Sequence, residues 1–285
     1  MTTGAGSPVD PQAAPLPRAR GSVDITVAYR DGRSRLARLR HQGSAKCLLP
    51  RLPDRSAPEA VILNTAGGIT GGDRFAWHAE AGPGAALSVT TQAAERIYRA
   101  APGPTGRVDT RLVAGPGATL AWLPQETILF DGGALDRRLV ADIAADARLL
   151  VLEALVLGRV AMGERVARGH LTDRWAIRRD GRLVFADAVA LSGPVAEIAA
   201  RPAVFGPHGA AASLLYAAPD AADRLAGVRA VLPATDDARA EAGASAWDGM
   251  LALRAVARDS QRLRRLIAAV VDALDVVPLP RVWSF

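Results

Sequence analysis

Residues 81–89 read AGPGAALSV and residues 114–122 read AGPGATLAW, 33 positions apart. A looser third copy, ADARLLVLE, occupies 145–153. In each copy an alanine leaves a turn and begins an alternating run: Leu87 and Val89, then Leu120 and Trp122, then Leu149 and Val151. Alternation with period two places each pair on one face of a strand. A turn-then-strand unit recurring at about 30 residues cannot bury its apolar face alone, and stacking successive copies buries it. The sequence therefore predicts a mainly β protein, a stacked-strand body of β-helix (solenoid-like) or sandwich type.

Strand signals extend outward from this repeat, over about 22–190. The segments VDITVAYRDGRSRLARLR (23–40) and RWAIRRDGRLVFAD (174–187) each contain an Asp-Gly pair between alternating runs. Asp-Gly tolerates the positive φ angles of a two-residue hairpin loop, so both read as hairpins. After residue 210 the pattern changes. Leu263, Leu266, Ile267, Val270, Val271 and Leu274 follow helical spacing, with Asp259 or Ser260 as the N-cap. A second helix is expected from Asp220 to about Gly227, capped by Asp220, and WDGMLALRAVA (247–257) reads as a strand between the two. PLPRVWSF (278–285) reads as an extended arm whose Trp283 and Phe285 dock on the body or on a partner. The expected organisation is a disordered tail over 1–20 and one domain over 21–285. Within that domain a β-rich body covers 21–210 and a mixed α/β part with about two helices covers 211–285.

Composition sets limits on function. The chain has 285 residues, 49% of them hydrophobic, enough for a substantial core. Its net charge is +6, and Lys46 is the only lysine beside 34 arginines. The arginines do not cluster with aromatics, so the basic excess reads as solvated faces rather than a nucleic-acid site. Arg33, Arg35, Arg38 and Arg40 alternate along one such strand. A single cysteine, Cys47, excludes an intramolecular disulfide and fits a reducing compartment. No secretory signal and no 18-residue apolar span occur, so no membrane segment is expected and the cytoplasm is the expected location.

LNTAGGITGGDRF (63–75) is the most unusual segment. Gly67 and Gly72 have the glycine spacing of a phosphate loop, but Asp73 and Arg74 stand where Lys and Ser/Thr are required. No helix-opening GxGxxG is present either. Gly67, Gly68, Gly71 and Gly72 read instead as two constrained turns needing positive φ or close backbone approach, beside an acid, Asp73. The four histidines lie far apart in sequence, which excludes a zinc site of ordinary spacing. Ser192 lacks a nucleophile-elbow context and Cys47 lacks an identifiable base. Scattered carboxylates remain the main chemical resource. The repeat brings Gln92, Glu95, Gln125, Glu126 and Glu153 to similar heights on neighbouring strands, a polar strip that is either a solvated edge or the lining of a groove or channel.

Five ordered segments, LNTAGGITGGD, TTQAAERIYR (90–99), WLPQETILFDGG (122–133), LGRVAMGE (157–164) and WDGMLALR (247–254), resemble the urease accessory protein UreD, called UreH in some organisms. The resemblance spans 63–254. It implies a mostly β maturation factor that is not an enzyme. Such a factor binds urease apoprotein and the accessory protein UreF, through which the GTPase UreG joins. Together they assist nickel delivery to the dinuclear site of urease, by a proposed water-filled tunnel. It also implies no tightly bound cofactor beyond transient Ni2+. Asp73 and Glu164 match acidic positions of the family motifs, and with Asp131 and Glu153 they are the expected path-lining or partner-facing acids. Arg96, Tyr98 and Trp283 are the alternative partner contacts. The competing readings are a β-rich hydrolase using a carboxylate pair, and an adaptor without a metal conduit.

Overall fold

The structure is a computed structural model describing residues 17–51, 57–159, 162–233 and 239–283. The hairpin β1 (Arg20–Arg30) and β2 (Arg33–Gly43) turns at Asp31-Gly32, with φ angles of 50° and 75°. Positive φ at both central residues is what the right-handed twist of the flanking strands demands. β3 (Ala45–Leu48) then leads into four stacked coils. The first coil contains β4 (Glu59–Asn64) and β5 (Arg74–Ala81). The second contains β6 (Ala86–Thr91), the short β7 (Glu95–Ile97) and β8 (Gly106–Ala114). The third contains β9 (Thr119–Trp122), β10 (Thr127–Leu129) and β11 (Ala134–Ile143). The fourth contains β12 (Arg148–Leu157) and β13 (Gly169–Arg179).

Each coil thus gives one long strand to each of two sheets, and the short β7 and β10, paired with each other, join the second sheet through β12. The first sheet runs β2-β1-β5-β8-β11-β13 and ends on β14 (Arg182–Gly193), hairpinned to β13 through Asp180-Gly181. The second runs β3-β4-β6-β9-β12 in parallel from β4 onward. It continues antiparallel through β15 (Ala210–Ala217). The last two strands are β17 (Met250–Ala257), which pairs with β15, and β16 (Ala240–Trp247) at the edge. The sequence repeat is this register. Leu87, Leu120 and Leu149 are successive Cα partners, as are Val89, Trp122 and Val151. Ala85, Ala118 and Ala147 are fully buried at the turns, each N–H donating to the carbonyl three residues back at 2.9, 3.0 and 3.2 Å. Gly84 and Gly117 hold φ near 65° there, and Asp146 takes the equivalent place in the third turn while accepting the Gly117 N–H at 2.9 Å.

Two cores result. One lies between the sheets. The other lies on the far side of the second sheet, beneath α2 (Ala221–Ala230) and α3 (Ser260–Leu274), which follow the short α1 (Val195–Ala199). Strand β12 is covered on both faces, which is why it reads as a near-continuous apolar run. The six α3 residues predicted from spacing are all buried, each contributing roughly 1.5–3 kcal/mol relative to exposure. Asp259 caps α3 by accepting the Arg262 N–H at 2.9 Å.

Three local expectations need correction. Asp220 precedes α2 but makes no side-chain cap; its carboxylate instead accepts from Tyr216 Oη at 2.6 Å and from Arg224. WDGMLALRAVA is not one strand: Asp248-Gly249 forms a third positive-φ hairpin turn (44° and 69°), joining β16 to β17. Arg281–Trp283 form a 3-10 turn rather than an extended arm, because Trp283 is buried and its Nε1 donates to the Leu123 carbonyl at 3.1 Å. Phe285 and residues 1–16 of the expected tail lie outside the described residues. Among those described, no helix is long and apolar enough to cross a membrane.

Candidate functional site: a charged interior between the sheets

Strand parity decides which side chains enter the first core. On β11, Leu135, Leu139, Ala141 and Ile143 point inward, and so does Arg137. On β12, Leu149, Val151 and Leu155 point inward with Glu153; on β13, Leu171, Trp175 and Ile177 point inward with Asp173. One arginine and two acids therefore replace apolar residues at in-phase positions of three strands, and all three are buried. Arg137 and Asp173 are direct Cα partners across β11 and β13. The guanidinium bridges both acids, with Nη1 2.5 Å from Glu153 Oε2 and Nη2 2.7 Å from Asp173 Oδ2. Arg137 Nη1 also donates to Thr127 Oγ1 at 2.9 Å, and Trp122 Nε1 donates to Glu153 Oε1 at 2.9 Å. Among the described residues, Arg137 Nε and Asp173 Oδ1 are buried without a hydrogen-bond partner.

Burial opposes every charge in this cluster. It pushes the Glu153 carboxyl up, Arg137 pulls it back and Asp173 adds to the rise. For Arg137, burial favours deprotonation, but Asp173 and Glu153 outweigh it and hold the guanidinium charged. One positive and two negative charges leave the cluster short of cationic charge.

Two cavities meet at this cluster. The first, about 240 Å3, lies between the sheets, and its wall includes Trp77, Thr110, Trp122 and Leu135. The second, about 370 Å3, is bordered by Asp173, Leu171, Phe205, Ser213 and Arg254. Arg137 and Glu153 line both. Among the described residues no three His, Cys, Asp or Glu side chains gather into a metal-binding group. The interior offers carboxylate and hydroxyl oxygens, ligands softer metals hold weakly.

Of the polar strip, Gln92, Glu95, Gln125 and Glu153 all line the first cavity. Gln92 is exposed at the rim. Gln125 is buried, donating to the Val282 carbonyl at 3.1 Å and accepting from Arg264. Glu126 does not line this cavity; it pairs with Arg264 at 3.1 Å. Glu95 is half-buried, with Asn64 Nδ2 at 3.1 and 3.2 Å from its two oxygens. Burial raises its pKa to about 7, against the lowering effects of Asn64, the Arg96 N–H and the Arg96 charge. An acid with a raised folded pKa contributes stability below its unfolded value that is lost as pH rises. The Glu95 contribution to stability is therefore expected to be lost between about pH 4.5 and 7. Glu95→Gln removes that slope and at pH 8 should be more stable by roughly 2–3 kcal/mol, as read from urea unfolding at pH 5 and pH 8.

The glycine segment sits beside this cavity, which Asn64 and Gly67 line. Gly67, Gly68 and Gly72 have positive φ, and a Cβ on Gly71 would lie 2.8 Å from the Pro104 carbonyl oxygen. Asp73 is buried and does not line either cavity. Its Oδ1 accepts the Ala19 N–H at 2.8 Å and its Oδ2 the Thr70 N–H at 2.9 Å. Asp73→Ala orphans both donors and is expected to destabilise the chain by about 2–4 kcal/mol, with Asp73→Asn losing less, as shown by denaturant midpoints.

Asp131 and Glu164 come together at a different place. Glu164 Oε1 accepts the Asp131 N–H at 3.2 Å, and Oε2 is 2.8 Å from Arg159 Nε. Asp131 accepts the Arg168 N–H at 3.0 Å and pairs with Arg99. The Arg159 hydrogen bond holds Glu164 below its ordinary pKa, and the Arg168 N–H does the same for Asp131. Tyr98 is exposed, packs edge-on against Phe130 at 5.2 Å and donates to the Gly67 carbonyl at 3.3 Å. Arg96 borders the first cavity. Cys47 is buried, its thiol pushed up to about 11 by burial, which makes it a packing residue rather than a nucleophile. Sequence reasoning misses Arg137 and Asp173; the signal is a charge in phase with apolar neighbours.

The architecture defines a class: a stacked-coil β protein with a charged, carboxylate-rich interior. A family model described as UreD urease accessory protein matches residues 19–284. The chain is 49% identical over 294 residues to a urease accessory protein UreD of Xanthobacter autotrophicus, covering 100% of both chains. It is 50% identical over 270 residues to one of a Methylobacterium species, covering 94% of this chain and 95% of the relative. A Rhizobium leguminosarum bv. trifolii relative of the same name is 49% identical over 268 residues, covering 94% and 96%. The chain belongs to the UreD urease accessory protein family, and its role lies in urease maturation.

Proposed function

We propose that the chain is a scaffold that conducts Ni2+ toward the urease active site through its β body while holding urease apoprotein and UreF, with UreG joining through UreF. The observation that carries the reading is the pair of interior cavities with the shared wall at Arg137 and Glu153. A conduit must release what it binds, and isolated carboxylates exchange Ni2+ more readily than imidazole or thiolate clusters would. Glu95 and Gln92 stand at one end of this polar route and Arg254 at the other. The carboxylate-hydrolase alternative fits less well. Glu153 has both oxygens engaged, by Trp122 and by Arg137.

The test is assembly and nickel content measured on the same variants. Glu153→Gln keeps shape and removes a charge. We expect it to assemble with urease and UreF as wild type does, while the nickel content of urease falls at least severalfold. Full nickel content with normal assembly, in both Glu153→Gln and Glu95→Gln, would leave an adaptor without a conduit. Asp73→Ala is a poor probe here, because its loss of fold would mimic a loss of delivery.

A further inference from the structure

We propose that Arg137 is a built-in stand-in for a divalent cation: its guanidinium occupies, between Glu153 and Asp173, the place that the passing ion takes when Arg137 withdraws. The charges fit this exchange. With both acids ionised the cluster is one positive charge short of neutrality, and a dipositive ion in place of the guanidinium neutralises it, a large effect in a buried setting. The ligands fit too. Asp173 borders the second cavity, and its buried Oδ1 has no hydrogen-bond partner among the described residues, so acceptor capacity remains after Arg137 is bound. Glu153 Oε2 and Thr127 Oγ1, both now engaged by Arg137 Nη1, are the other oxygens an ion would inherit. Glu153 itself stays aimed inward, because Trp122 holds its second oxygen.

Arg137 is also placed to leave. It borders both cavities, and its Nε has no hydrogen-bond partner among the described residues. Its hydrogen bonds all run through Nη1 and Nη2, to groups that the ion would take over. The arginine thus makes divalent binding weak, because each ion must displace a charged hydrogen-bonded group. A buried ion cluster that only supports the fold is the contrary reading, and it predicts no metal gain when the arginine is removed.

This inference rests on the nickel-path reading only for the identity of the ion, and the experiment separates the two. Equilibrium dialysis of the full-length chain against NiCl2 at pH 7.5 compares wild type, Arg137→Met, Arg137→Lys and Arg137→Met/Asp173→Asn. Arg137→Met is expected to hold one Ni2+ per chain at least tenfold more tightly than wild type, and the double variant to lose that gain. A folded Arg137→Met chain with wild-type Ni2+ binding overturns the proposal. If Arg137→Met does not fold, Arg137→Lys decides: its ammonium lacks the bridging fork, so binding should tighten at least threefold, and no change overturns the proposal. Urease nickel content measured with the same variants isolates the path. Tighter binding with unchanged urease loading supports the masked site and sinks the conduit. Impaired loading in Glu153→Gln with no gain in Arg137→Met sinks the mask and keeps the conduit.

Discussion

Truncating Arg137 to alanine is expected to destabilise the chain by about 3–5 kcal/mol, the range for breaking a buried ion pair from one side. The substitution strands Glu153 and Asp173, both buried, with no counter-charge. It also removes the hydrogen bond to Asp173 Oδ2 and leaves Thr127 Oγ1 without its donor. The loss should shrink as pH falls from 8 to 5. Burial already raises Glu153, and without the opposing pull of Arg137 its carboxyl takes up a proton more readily in the folded chain than in the unfolded one. Guanidinium chloride unfolding at the two pH values measures this. The informative contrast is the triple variant Arg137→Met/Glu153→Leu/Asp173→Leu. Replacing a buried ionic cluster by apolar groups of similar volume is often neutral or stabilising by about 1–4 kcal/mol. A triple variant as stable as wild type, beside a crippled single variant, means the cluster is not present for stability. A single variant with unchanged midpoints would show that water reaches and solvates the two acids.

Gly68→Ala is expected to cost about 2–4 kcal/mol, from backbone strain and overpacking together. Gly68 has φ of 155°, and a Cβ there would lie 2.3 Å from Tyr98 Cε2 and 2.7 Å from the Arg96 carbonyl oxygen. The tyrosine ring is partly exposed and can swing away. The carbonyl cannot, because it accepts the Ile69 N–H at 2.7 Å, and Ile69 bridges to Ile97 on β7. Tyr98→Ala in the same chain should therefore recover less than half of the loss. Full recovery would assign the clash to the ring alone. Gly67 provides the scale: it has φ of 80°, but a Cβ there would meet nothing within 4 Å, so Gly67→Ala should cost only about 1 kcal/mol of strain.

The fold is legible where one residue type has one physical job. The AGPGA turns and their alternating strands announce the stacking, since the same parity and the same buried alanine recur at each turn. The α3 face and its Asp259 cap are equally plain, because helical spacing and capping are local. The Asp248-Gly249 hairpin escapes notice despite carrying the same dipeptide as the other two. Its flanking strand AEAGASAW consists mainly of small residues and has little alternation to read. The site is legible only in part. The strip Gln92, Glu95, Gln125 and Glu153 follows from the repeat. Arg137 and Asp173 face each other only after β11 is laid against β13, 36 residues apart in sequence. Asp73 reads as a chemical group because it is acidic and follows glycines. One of its two backbone hydrogen bonds closes the local turn from Thr70, and the other, from Ala19, ties the segment to the chain before β1, a tertiary fact that local sequence does not carry.

The coils differ in length, and the difference is confined to one side. From Leu87 to Leu120 the chain uses 33 residues and from Leu120 to Leu149 it uses 29, though both steps advance one strand. The AGPGA side is constant, with six positions from Ala114 to Leu120 and six from Ile143 to Leu149. The extra residues enter on the opposite side, chiefly between β7 and β8, next to the rim of the first cavity. One residue inserted at the AGPGA side would shift a strand by one position and turn its inward side chains outward. A loop lengthened between β7 and β8 leaves every strand where it is. Added length is thus tolerated on the side opposite the AGPGA turns, the side on which β7, with Glu95 and Arg96 in the wall of the first cavity, also lies.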